Sequence, residues 1–150
     1  MSATLTTPWK PARLRRAADR MLGRLLRRGR GPGFMRLLTV TGRTSGLPRT
    51  TPVVPVRNDG DVWVVSPFGD VDWVRNVRAA GRLELHRGGE RTTYTARELA
   101  PTEATPVLRD YLAMPSERFV RRDFEVTKAS SDEAIAAEAH RHPVFALTPV

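Results

Sequence analysis

The chain has 150 residues, 40% of them apolar, enough for one domain with its own core and short for two. It has no cysteine, which excludes disulfides, thiolate metal sites and a cysteine nucleophile, and no stretch approaches the roughly 18 apolar residues of a membrane span. Of the net charge of +9, nearly all sits in residues 1–30, where eight arginines and one lysine face Asp19 alone, whereas residues 31–150 are close to neutral. That distribution argues against a nucleic-acid-binding domain, whose cations belong on the folded surface. It divides the chain into a basic arm, 1–30, and a folded domain, 31–150. Without the apolar core of a signal peptide, the expected location is the cytoplasm.

From Lys10 to Arg28, Leu14, Ala17, Ala18, Met21, Leu22, Leu25 and Leu26 recur at helical spacing, with arginines filling the remaining arc. The expected amphipathic helix ends at Gly29 or in Gly31-Pro32-Gly33. It has two uses: packing its leucine face on the domain, or lying on an anionic membrane surface through residues 10–28, where Trp9 is a suitable interfacial anchor. The second use would put the protein peripherally at the inner face of the cell membrane.

Phe34–Thr41 reads as a strand, and Thr50–Arg57 as a second, interrupted by Pro52 and Pro55. Two prolines point to an edge, a bulge, or backbone facing something other than a strand. Asn58-Asp-Gly-Asp61 is a hairpin turn leading into the strand Val62–Ser66. Asp70 or Asp72 is expected to cap a helix to about Ala80, with Gly81 as its stop. Arg82–His86 and Arg91–Leu99 form a further hairpin, and Val107–Ala113 and Ser131–His140 read as helices. Arg118–Lys128 has no clear periodicity, and His142–Thr148 closes the chain as a strand. Five or six hairpin-joined strands give a mainly β fold with peripheral helices, a small antiparallel barrel.

The chemistry concentrates between the first two strands. Thr41-Gly-Arg-Thr-Ser-Gly-Leu-Pro-Arg49 is a glycine-flanked turn with arginines six positions apart, suited to a phosphorylated or carboxylated ligand. Trp73 and Asn76 share a helix face, with core packing and helix capping as their plainer roles. His86, His140 and His142 lack a metal-ligand spacing, so no metal is expected and the histidines read as structural or surface residues. Ser130 and Ser131 lack a nucleophile-elbow context.

On Thr41–Arg49, the following Pro52, and Phe68-Gly-Asp-Val-Asp-Trp-Val-Arg-Asn76, the chain resembles the deazaflavin (F420)-dependent nitroreductases, also called F420H2-dependent quinone reductases. The resemblance runs from about Phe34 to Arg97. It implies a split β-barrel of the flavin-reductase, FMN-binding type, and hydride transfer from reduced coenzyme F420 to a quinone, nitroaromatic or activated double bond. Carried onto this sequence, it assigns Arg43 and Arg49 to the phosphate and oligoglutamate tail, with Thr44 and Ser45 in the same turn. It has Pro52, Val53, Val54, Ser66 and Pro67 line the ring, with Trp73 and Asn76 beside it. Thr44 stands where many relatives carry lysine, so tail binding is expected to weaken or to shift onto Arg75 or Arg78. Val54 stands where well-known relatives have tyrosine, leaving Tyr111 and the Phe119–Phe124 region to face the acceptor.

A deazaflavin carries its own hydride chemistry, so no triad or metal is required, and Ser66, Tyr111 and water are the candidate proton donors. The alternatives are the same barrel with FMN or a tetrapyrrole, and a non-enzymatic membrane-associated protein. Monomer and homodimer are both compatible with the sequence.

Overall fold

The structure is a computed structural model that describes residues 12–150. Trp9, Lys10 and the start of the arm lie outside the described residues, and side chains of the first helix are described from Arg16. Seven strands form one antiparallel sheet: β1 (Arg36–Thr41), β2 (Pro48–Val53), β3 (Val56–Asn58), β4 (Asp61–Val65), β5 (Arg82–Arg87), β6 (Glu90–Glu98) and β7 (Val144–Pro149). Their spatial order is β2-β1-β5-β6-β7-β4-β3.

That order has a strong consequence. The two edge strands, β2 and β3, are consecutive in the chain and joined only by Val54 and Pro55. The sheet must therefore curl until its edges approach, which makes it a split barrel. The expected single strand Thr50–Arg57 is thus two, and the break falls at Pro55, whose missing N–H prevents continuation of a ladder. The β3–β4 turn uses positive φ at Asp59 (48°) and Gly60 (88°), the conformation that fits a tight hairpin.

Four α-helices surround the sheet: α1 (Ala12–Arg27), α2 (Asp72–Ala80), α3 (Pro101–Ala113) and α4 (Asp132–Glu138). Neither Asp70 nor Asp72 is the N-cap of α2: Val71 holds that position without a side-chain hydrogen bond, Asp72 is the first helical residue, and Asp70 pairs with Arg78 instead (3.0 Å). Gly81 ends the helix at φ 68°, as expected. The segment without periodicity folds as two 3-10 turns, Pro115–Phe119 and Arg121–Asp123.

The core has two parts. Leu38, Val64, Val74 and Phe145 fill the barrel, and Val65, Leu108, Ile135 and Val144 pack between the sheet and α3 and α4. Helix α1 packs against β1, β2 and β5, with Leu26 fully buried and Leu22 partly so. Met21 (67% exposed) and Leu25 (38%) face outward, so the apolar face is only partly used.

Candidate functional site

A groove of about 1050 Å³ opens along the free edge of β2. At one end is the Gly42–Leu47 connection between β1 and β2, closed by hydrogen bonds from Gly42 N to Leu47 O (2.8 Å) and from Gly46 N to Gly42 O (2.9 Å). A Cβ on Gly42 would lie 2.7 Å from Ser45 Oγ and 3.2 Å from Leu47 O, so a side chain there would displace the Ser45 hydroxyl, and Gly46 supplies φ 69°. At the other end, Tyr111 of α3 and Ser116, Phe119 and Val120 beyond it form the wall. Asp19 and Leu22 of α1 flank the groove from the side.

Of the sequence-derived site residues, Arg43, Thr44, Ser45, Arg49, Pro52, Val53, Val54, Pro67, Trp73, Asn76 and Tyr111 all line this one groove. The two arginines differ in environment. Arg43 is tied to α2: Nη1 donates to Asn76 Oδ1 (2.8 Å) and Nη2 reaches Asp72 Oδ1 (3.3 Å). Asn76 Oδ1 also accepts from the Arg43 backbone N–H (3.1 Å), so this buried amide fixes the turn against the helix. Arg49 is freer: among the described residues no carboxylate pairs with it, and its Nη2 donates only to Ser45 Oγ (3.4 Å). Ser45 Oγ also accepts from Leu47 N (3.2 Å), which leaves its hydrogen available to an anion.

Arg78 cannot take the place of a missing lysine. It forms a bidentate pair with Glu98 (2.8 and 2.7 Å) and a second bond with Asp70, interactions that hold its guanidinium well above its ordinary pKa. Trp73 both lines the groove and packs on Phe145, with ring centroids 6.0 Å apart, so its core and site roles coincide.

Ser66 differs from the other candidates. It is fully buried, and its hydroxyl donates to Gly69 O at 2.6 Å, which commits its proton to the Ser66–Gly69 loop. Tyr111 faces the groove with no hydrogen bond to its hydroxyl among the described residues, and burial, reinforced by Asp123, pushes its phenol well above the ordinary value. It is therefore a neutral donor across the physiological range.

Sequence reasoning missed how the Ser66–Gly69 loop is held. His142 Nδ1 bonds Pro67 O (3.0 Å), His142 Nε2 bonds Glu138 Oε1 (3.0 Å), and the ring stacks on Phe124 at 3.8 Å. Both ring nitrogens thus face acceptors, in an arrangement that pins a groove-lining residue to the last strand. Its signal was weak, since His142 and Glu138 are brought together by a helix end that sequence periodicity blurs. His86 is buried beside Thr39 Oγ1 (2.9 Å) and His140 is exposed. Among the described residues no group of three or more histidine, aspartate or glutamate side chains is arranged to hold a metal ion.

A curled antiparallel sheet with a groove of this size along its split defines a split-barrel protein. A family model described as F420H(2)-dependent quinone reductase matches residues 11–129, and the chain belongs to that family. Solved structures share the fold. An F420-H2 dependent reductase, FDR-A, is 25% identical over 77% of this chain and 94% of its own, with a TM-score of 0.54. A domain-swapped dimer is 24% identical, covering 90% and 96%, at 0.56. A pyridoxamine 5'-phosphate oxidase-like protein from Listeria innocua shares the fold at 10% identity, covering 77% and 83%, at 0.52. The protein is an F420H2-dependent reductase by family, and the FMN alternative finds no support in these comparisons.

Proposed function

We propose that the protein transfers hydride from reduced F420 to an electron-poor acceptor, a quinone first and a nitroaromatic or activated double bond by the same chemistry. The observation that carries this reading is the groove's polarity: a cationic turn at one end, unpaired strand backbone in the middle, and a neutral tyrosine at the other. The residues present fit the cofactor. Arg49, Arg43, Ser45 and Thr44 would hold the phosphate and the carboxylates of the tail, with guanidinium forks matched to both anions. Val53 and Val54 lie at the end of the edge strand β2, whose outer side has no neighbouring strand, so their backbone would lie along the ring, with Pro52, Pro67, Trp73 and Asn76 completing the walls.

When bound, the deazaflavin supplies a two-electron hydride and the protein no covalent catalyst. The chain's own task is to orient the ring and acceptor and to exclude water. Tyr111 is the proposed proton donor, because its hydroxyl is unclaimed whereas that of Ser66 is committed.

The exposed Met21 and Leu25, beside Arg20, Arg24, Arg27 and Arg28, support an anionic membrane as the source of a lipid-soluble quinone. In this reading α1 stays docked through Leu26 while its other side meets the bilayer. The solved match that is a domain-swapped dimer makes a homodimer the assembly to test first.

The decisive experiment is fluorescence titration with oxidised F420 against FMN, followed by oxidation of F420H2 with menadione. Tight F420 binding, weak FMN binding and menadione-dependent turnover are expected. Preference for FMN, or no turnover with quinones and nitroaromatics, defeats the reading. For the membrane component, cosedimentation with anionic vesicles but not neutral ones is expected.

A further inference from the structure

Two polar side-chain atoms among the described residues are buried without a hydrogen-bond partner, Ser116 Oγ and Glu138 Oε2. Glu138 has an evident reason to be there: its other oxygen accepts from Glu125 N (2.9 Å) and bonds His142 (3.0 Å). Ser116 has none. It is 6% exposed, lies five positions beyond Tyr111, and lines the groove. Neither of the nearby amides of Glu117 and Val120 relieves it, because they already donate to Met114 O (3.0 Å) and Glu117 O (2.9 Å). Orphaned buried hydroxyls are rare in native proteins and call for a missing partner.

We propose that this partner is the acceptor: Ser116 Oγ forms, with the Tyr111 hydroxyl, a pair of donors for the quinone oxygen on which negative charge develops during reduction. The inference rests on the reductase reading and specifies its substrate end. Ser116 Oγ itself is buried while the residue lines the groove, so binding requires the hydroxyl to turn to another staggered χ1 well when the acceptor arrives. Phe119, 68% exposed in the same 3-10 turn, offers a flat apolar face to a planar ring. Burial keeps Tyr111 protonated, so it remains a donor. The quinone gains two electrons and one proton as hydride from the reduced deazaflavin. It takes a second proton from water through the hydroxyls and leaves as hydroquinone, with the cofactor oxidised. Donors aimed at an oxygen that becomes anionic act most strongly at the transition state.

The test compares Ser116→Ala, Ser116→Thr and Tyr111→Phe. Calorimetric titration of menadione into protein loaded with oxidised F420 should show up to about tenfold weaker binding for Ser116→Ala, with kcat/KM for menadione reduced by about ten- to a hundredfold, as for a lost hydrogen bond to a neutral and to a charged oxygen respectively. For Ser116→Ala, F420 affinity should stay within about twofold, and the loss of turnover should be clearly smaller with methylene blue, an acceptor without oxygen, than with menadione; Tyr111→Phe should lose menadione turnover at least as strongly as Ser116→Ala. Ser116→Thr should restore much of the loss, and Ser116→Ala should melt at or above the wild-type temperature, since it removes an unsatisfied group. Unchanged menadione parameters, equal losses with both acceptors, or a clear fall in melting temperature overturns the proposal. If the wild type fails to bind F420, the reductase reading itself fails, whereas intact F420 binding with unaffected menadione kinetics sinks this inference alone.

Discussion

At the scale of single residues, the two groove arginines are not equivalent. Arg49 brings a free cation, while Arg43 is shared with Asp72 and Asn76. Arg49→Ala is expected to weaken F420 binding by about ten- to a hundredfold, the range for a lost charge-assisted hydrogen bond. Asp72→Asn, which removes the competing carboxylate, should tighten binding a few-fold. A titration in which Asp72→Asn weakens binding would show that the aspartate positions Arg43 rather than competes for it. His86 gives a separate, pH-dependent effect. Burial lowers its pKa below the ordinary 6.5, with Arg91 and Arg27 adding to the shift and Glu84 opposing it. The unfolded chain therefore takes up this proton first, so stability falls as pH drops from 6.5 towards the folded-state value, and above 6.5 the group adds no slope. In thermal melts, His86→Gln should lose less stability than wild type between pH 8 and pH 5.

Among the elements, α1 carries the sharpest test. Its end is latched by the β5–β6 turn: Gly88 N donates to Leu26 O (2.8 Å), and Arg87 donates to Pro32 O (2.6 Å) and Gly31 O (2.9 Å). A Cβ on Gly88 would meet Gly29 Cα at 3.1 Å, and its φ of 55° already disfavours a side chain. Gly88→Ala should therefore loosen α1, raising its amide exchange rates, whereas Gly89→Ala, with nothing near its Cβ, should leave them unchanged. The helix was legible from its leucine spacing, and most strands from alternation and turn residues. Less legible was which side of α1 packs, because Leu22 and Leu26 differ from Met21 and Leu25 only in what the barrel places beside them. The cap of α2 was misread since Asp70 found a stronger partner in Arg78. That Arg43, Arg49, Trp73 and Asn76 belong together was legible from the spacing of the turn and from the family resemblance, and they do line one groove, but Ser116 was not legible, as its orphaned state arises only from tertiary packing.

For the whole molecule, the closing strand and the groove are mechanically linked. His142 bonds Glu138, reaches Pro67 across 75 positions of chain, and stacks on Phe124 of the second core. Removing the imidazole leaves buried Glu138 with the Glu125 N–H (2.9 Å) as its remaining hydrogen-bond partner, so His142→Ala should cost about 1–3 kcal/mol by denaturant unfolding. A loss under about 1 kcal/mol would mean that Glu138 is well solvated in solution. In the same variant, F420 affinity should fall as Pro67 loses its anchor.

The Val54–Pro55 junction sets a limit on all of this. Because it joins one margin of the sheet to the other through two residues, their separation at that end is limited by contour length as well as by the packing inside the barrel. Two glycines spliced in at that junction should let the mouth gape while every strand ladder survives, yielding a folded protein with a looser hold on its cofactor. Shape selectivity here is thus encoded in how much thread separates two strands.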